Sequence, residues 1–269
     1  GEEVLNLCME NYDGFDHNLQ TLRIVTLLEN KYFNFLGLNL TIETLDGLVK
    51  HNGPLKNTYN FKKILNTNYF KNKIIFSNSP SLEAQIASIS DDIAYNNHDL
   101  EDGLRANLFS IDKLNSIPFV SQFIKKNNKN SKNYRREIFV NQIVRKSISK
   151  MVMDVIQTTE KNLKKEKPKN IKDIYKQNLP IVGFSKNMKK VDTEIKDFLK
   201  LNMYDNKKVI INTNNCKIII KDLFNYLIKK PKGFINSKLL EYESKERAVA
   251  DFIAGMTDRY AINLHKEIK

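Results

Sequence analysis

The spacing of apolar residues along the chain is mainly helical. In "NLQTLRIVTLLENKYF", Leu19, Leu22 and Val25, extended by Leu28 and Tyr32, recur at three- and four-residue steps, and Asp13 or Asp16 is placed to cap the start. "TIETLDGLVKH" predicts a short helix capped by Thr41 and stopped at "NGP", where Gly53 and Pro54 break it. Residues 56 to 78 are polar and aromatic, have no clean period, and read as a variable loop region. A helix begins after Pro80 and carries "SLEAQIASISDDIAYNNHDLEDGL". Residues 134 to 163 predict a long helix that offers Ile138, Ile143, Ile148, Met151, Val152 and Val155 to a core. "KKEKPKN" reads as a linker or turn. "IKDFLKLNMY" and "KDLFNYLIKK" predict short amphipathic helices, and "KKVIINT" with "CKIII" a small β-hairpin. "SKERAVADFIAGMTDRYAINLHKE" predicts a last helix bearing Val249, Phe252, Ile253 and Met256. The expected class is all-α with that one hairpin. There is no internal repeat and no glycine-rich phosphate loop.

Composition narrows this picture only slightly. A chain of 269 residues that is 41% hydrophobic and 28% charged reads as soluble and globular, with one large domain or two modest ones. No apolar run approaches the roughly 18 residues of a membrane span. The first residues, "GEEVLNLCMENYDGF", lack the pattern of a signal peptide. Cys8 and Cys216 have neither zinc nor CxxC spacing and read as free thiols of a reducing cytosol, so a cytoplasmic location is expected. The net charge of +13 permits a polyanionic partner, either nucleic acid or a nucleotide phosphate. The recurrent Lys, Asn and Ile, as in "KKNNKNSKN", fit AT-rich coding equally well, which raises the charge without selection for binding.

Residues 81 to 104 change the picture most. They hold five aspartates and glutamates between Asp91 and Asp102, together with His98, in a basic chain. At about 100° per residue, Asp91, Tyr95 and Asp99 lie within about 80° of one another on the helix wheel. Ile89, Ile93, Leu100 and Leu104 cluster on the opposite side. One reading is an ordinary surface helix with a solvated acidic face. The other is a site in which the Asp–x3–Tyr–x3–Asp row supplies a metal ligand, a stacking or hydroxyl contact, and an acceptor for a sugar hydroxyl. Spacing leaves both open. His51, in "LVKHNGPL", sits at a helix end and reads either as a cap of terminal carbonyls or as a site residue.

Four blocks in order, "GFDHNLQTLRIVTLLE", "GLNLTIETLDGLVKHNGPL", "EAQIASISDDIAYNNHDLEDGLR" and "ERAVADFIAGMTDRYA", closely resemble the bacterial HD-domain deoxyguanosine triphosphate triphosphohydrolases. The resemblance implies an HD-domain helical bundle. Residues 1–163 would form the C-terminal part of the catalytic core, and residues 164–269 a helical region packed on it. It implies metal-dependent hydrolysis of dGTP or another dNTP to a deoxynucleoside and inorganic triphosphate, by attack at the α-phosphorus. Asp91 matches the family's distant metal-binding aspartate, for Mg, Mn or Fe(II). Tyr95 and Asp99 match the pair that contacts deoxyribose, and His17 a histidine assigned to proton transfer. Arg135 or Arg136 matches a phosphate-contacting position, or else is a solvated helix charge. A dNTP substrate, a homo-oligomer and no membrane are implied as well.

The sequence departs from the family at the metal site. The family's first metal histidine and His-Asp doublet precede the segment that "GEEVL" resembles, and the histidines here are His17, His51, His98 and His265. His98-Asp99 is a literal His-Asp pair, but it falls where the family has its sugar-binding aspartate. The expectation is therefore a chain lacking an N-terminal segment, as a split or late-started reading frame or a fragment. The competing expectation is a degenerate, non-catalytic homologue that binds nucleotides or single-stranded nucleic acid, or that acts only as a subunit.

Overall fold

The structure is a computed structural model that describes residues 1–65, 73–128, 136–235, 240 and 243–269. The helices are α1 (Glu2–Cys8), α2 (His17–Arg23), α3 (Ile42–Val49), α4 (Tyr59–Leu65), α5 (Leu82–Arg105) and α6 (Pro118–Asn128). They continue with α7 (Arg136–Glu166), α8 (Ile171–Tyr175), α9 (Lys186–Leu199), α10 (Lys207–Lys229), α11 (Lys245–Ala254) and α12 (Asp258–Ile268). A π-helical turn, Ile24–Leu28, follows α2, another, Lys200–Tyr204, follows α9, and a 3-10 turn, Ile111–Ser116, precedes α6. Among the described residues there is no strand, only an isolated bridge between Asn30 and Gly37. Among the described residues no helix is long and apolar enough to cross a membrane.

Local chemistry accounts for most helix starts. The side chains of Asp16, Ser81, Ser185, Ser244 and Thr257 each accept a backbone N–H of the first turn of the helix they precede. Thr41 accepts from Thr44 N at 3.3 Å, as expected of the cap of α3. Gly53, at φ 94°, closes the turn after α3 in a conformation that costs glycine little. Gly37, at φ 68°, is required by proximity as well: a Cβ there would meet Val25 O at 2.4 Å. Leu38 N donates to that same carbonyl, which belongs to the widened π turn, at 2.8 Å.

Four expectations need correction. The hairpin does not form: "KKVIINTNNCKIII" lies within α10, which runs on unbroken to Lys229. Its isoleucines favour strands locally, but the segment has no Gly or Pro to turn it. The helix continues into Leu223, Phe224 and Leu227, which are buried in a core, and that burial overrides propensity. The single C-terminal helix is two helices, since Gly255 ends α11 and Thr257 caps α12. The region read as loop from residue 56 contains α4, whereas residues 66–72 lie outside the described residues. In α7, Ile143, Met151 and Val155 are buried as expected and Ile148 packs on the core, but Ile138 and Val152 face outward.

The chain divides into two compact units that interleave along the sequence. One comprises Gly1–Val49, Asn57–Ile74 and Ile210–Lys269, the other Lys50–Lys56 and Ile75–Val209. Position 163/164 falls in the last turn of α7. The first unit buries Leu5, Met9, Phe15, Leu223, Leu227 and Val249 around α10 and α11. The second packs α5 against α7 and α9 through Ile93, Leu100, Leu104, Ile143, Met151 and Ile195. Gly103 lets Phe109 come against α5, where a Cβ would stand 2.3 Å from the ring, and Phe109 meets Phe198 edge to face at 5.0 Å. This packing fixes the rotation of α5. Its apolar stripe faces the core, and Asp91, Tyr95 and Asp99 occupy the other side.

Candidate functional site: the polar face of α5

Within the second unit, the polar face of α5 is open. The Asp91 side chain is 71% exposed and Tyr95 is 57% exposed. Asp99 is half-buried. Two partners come from distant parts of the chain. The Tyr204 hydroxyl, from the π turn after α9, donates to Asp99 Oδ2. His51 Nε2 lies 3.7 Å from Asp91 Oδ2. On the flank of the face, Lys196 of α9 bridges Asp92 at 3.2 Å and Asp192 at 3.0 Å. Beneath it, the buried Asn96 donates to Asp192 at 2.7 Å.

Burial, followed by the hydrogen bonds with Asp99 and Tyr95, holds the proton on Tyr204 far more firmly than on an ordinary tyrosine. The phenol is thus a fixed donor, and it occupies one oxygen of Asp99. Among the described residues no donor meets the other oxygen, which is available as an acceptor. A carboxylate beside two phenol rings, partly open to solvent, can accept a hydrogen bond from a ligand hydroxyl.

His98 points elsewhere: it is 3.5 Å from Glu101, its own helical neighbour. Arg136 directs its guanidinium to the end of α5, with Nη1 3.3 Å from Asn107 Oδ1 and Nη2 3.4 Å from Leu104 O. Arg135 lies outside the described residues.

His17 belongs to the first unit. Its Nδ1 meets Glu2 Oε1 at 2.8 Å, and its backbone N–H donates to the same oxygen at 2.9 Å. Burial acts to raise the Glu2 carboxyl, but these two contacts outweigh it and hold the carboxyl below its ordinary range. The ring is thereby oriented, and Nε2 has no protein partner among the described residues. Glu2, Asp16 and His17 form the one three-donor cluster among the described residues. There, Glu2 is engaged by His17, and Asp16 caps α2.

The donors at Asp91 are a carboxylate and one imidazole. Magnesium, manganese or ferrous ions take about six ligands, several from the protein in a resident site. The described residues around Asp91 do not fit such an ion by themselves.

The sequence reading missed Tyr204, which stands 105 residues from Asp99 in "KLNMY", a segment with no local sign of function. Pairing with a distant carboxylate is visible only in three dimensions. His51 was legible as a candidate, but its partner was not.

The sequence is similar to those of known proteins. Residues 182–267 match the family model of a phosphohydrolase-associated domain. A deoxyguanosinetriphosphate triphosphohydrolase-like protein of Pelagibacter ubique is 52% identical over 268 residues, spanning 100% of this chain and 72% of the relative. Proteins of the same description from Bartonella tribocorum (41% identity, 97% of this chain, 68% of the relative) and Brucella ovis (39%, 100%, 69%) are also similar. These matches place the chain among phosphohydrolase-related proteins. The chain belongs to the deoxyguanosinetriphosphate triphosphohydrolase-like family of HD phosphohydrolases.

Proposed function

We propose that the protein acts in hydrolysis of a deoxynucleoside triphosphate, dGTP in the first instance, to the deoxynucleoside and inorganic triphosphate. The observation that carries the reading is the Tyr95–Asp99–Tyr204 group. Asp99, with one oxygen held by Tyr204, accepts the 3′-hydroxyl of the sugar through the other. The Tyr95 ring lies against the sugar face and disfavours a 2′-hydroxyl. His17, oriented by Glu2 at Nδ1, carries a proton at Nε2. Water adds to the α-phosphorus, the bond from phosphorus to the 5′-oxygen breaks, and the departing oxygen takes up a proton. Asp91 keeps the role of one anionic ligand to a divalent ion, with the family resemblance as its support. A homo-oligomeric, cytoplasmic protein is part of the same proposal.

The first test is triphosphate release from dGTP with Mn²⁺ present. The 269-residue chain by itself should turn over far more slowly than about 1 s⁻¹, an ordinary enzyme rate, because Asp91 and His51 are too few donors to hold the ion. Turnover at that rate would contradict the ligand count. The same count favours a second reading, a non-catalytic homologue that binds nucleotides or single-stranded nucleic acid. That reading is preferred if a deoxynucleotide binds and no preparation of the protein hydrolyses it.

A further inference from the structure

The first unit contains a cavity of about 640 Å³ that the hydrolase reading does not use. Leu19, Leu27 and Ile64 give it apolar wall, and Asp13, Lys63 and Arg247 line it as well. Arg247 sits in the first turn of α11 and is only 8% exposed. Its Nη2 donates to two backbone carbonyls, Gly14 O at 2.7 Å and Tyr12 O at 3.1 Å. No carboxylate lies within ion-pair distance of it among the described residues. The neighbouring acids are already engaged. Asp251 meets Arg23 through both oxygens, at Nε and Nη2, and Glu243 meets Arg23 Nη1 at 3.0 Å. Asp13 is held by Lys63 at 2.6 Å.

A guanidinium has five N–H donors and does not give up its charge in a protein. On Arg247, Nε and Nη1 have no acceptor among the described residues. Burial first, and then the like charge of Arg23, act against the cation; the charges of Asp251, Glu243 and Asp13 offset this only in part, so an added negative partner is favourable. The wall also limits that partner's charge, because Asp13 and Glu243 line the same cavity. With Asp13 paired to Lys63 and Glu243 to Arg23, the lining leaves a single uncompensated positive charge, which a monoanion matches better than a phosphate monoester of about −1.5 to −2. A carboxylate carries a single charge, and Leu27 and Ile64 suit an apolar body attached to it.

We propose that this cavity binds a small organic carboxylate, held at Arg247 with its apolar part against Leu27 and Ile64. The site is independent of dNTP hydrolysis. The test uses protein labelled with ¹⁵N at arginine and titrated with benzoate at constant ionic strength, with inorganic phosphate as the contrasting probe. The Arg247 Nε–H resonance, assigned by its absence in R247K, should shift saturably in the millimolar range with benzoate and much less with phosphate. R247K, which retains a donor for the Tyr12 and Gly14 carbonyls, should weaken benzoate binding about tenfold or more by calorimetry. If R247K does not fold, I64W fills the cavity with the guanidinium intact and should weaken binding similarly. The proposal is overturned by the absence of a saturable shift, by equal shifts with benzoate and phosphate, or by full binding in I64W.

Discussion

The two units place charge in opposite ways. In the first, Arg23 is buried against α11 with all three of its nitrogens matched to carboxylate oxygens of Asp251 and Glu243. In the second, Asp91 and Tyr95 stand on an open helix face, and among the described residues Asp99 has a single hydrogen-bond donor, Tyr204. A charge whose partners are saturated and out of water serves the fold. A charge held in place with acceptor capacity left over is available to a ligand. Both regions are rich in ionisable residues, so composition alone does not separate them. Degree of satisfaction does.

Breaking the saturated network should produce the largest effect on stability. Arg23→Met leaves Asp251, 3% exposed at its side chain, buried without its partner, and should cost about 3–5 kcal/mol in urea unfolding. Asp91→Asn, on the open face, should change stability by no more than about 0.5 kcal/mol. Similar values for the two would erase the contrast. Next in size is the packing that aims α5. Gly103→Ala drives a methyl into the Phe109 ring and should destabilise by about 1–3 kcal/mol, with a lower melting temperature as the readout.

Tyr204→Phe removes the donor to Asp99 while retaining the ring, and should cost about 1.5 kcal/mol of stability, the low end for a bond to a charged group because the pair is partly exposed. If Tyr204 orients Asp99 for a ligand, deoxynucleotide affinity should fall in the same variant. A change in stability with no change in affinity would make the bond merely structural.

The smallest effect is a pH dependence at Glu2. Its folded-state pKa is depressed, so its contribution is present above its ordinary value of 4.5 and fades as the pH falls through the folded value. The stability difference between the protein and Glu2→Gln should therefore shrink on acidification below that value. A difference that grows on acidification would reverse the assigned sign.

Much of α5 was legible because its signals are local. Pro80 and Ser81 mark its start, and the stripe of Ile93, Leu100 and Leu104 assigns its faces. The role of α10 was not legible. Its strand-like isoleucines stand beside a stretch whose burial depends on residues of α1 and α11 far away in sequence. The same limit hid the partners of the site. Asp99 and Tyr204 are 105 residues apart, and Arg23 and Asp251 are 228 apart. Periodicity shows that a side chain faces outward but not what meets it there.

The central claim is that the Tyr95–Asp99–Tyr204 group reads a deoxyribose. Calorimetric binding of dGTP and GTP to the protein and to its Tyr95→Ala and Asp99→Ala variants tests it without requiring turnover. The account predicts tighter binding of dGTP, by as much as about a hundredfold, with the preference relaxed in Tyr95→Ala and dGTP affinity reduced in Asp99→Ala. Equal affinity for dGTP and GTP in the unaltered protein, or a preference that survives both substitutions, would contradict it.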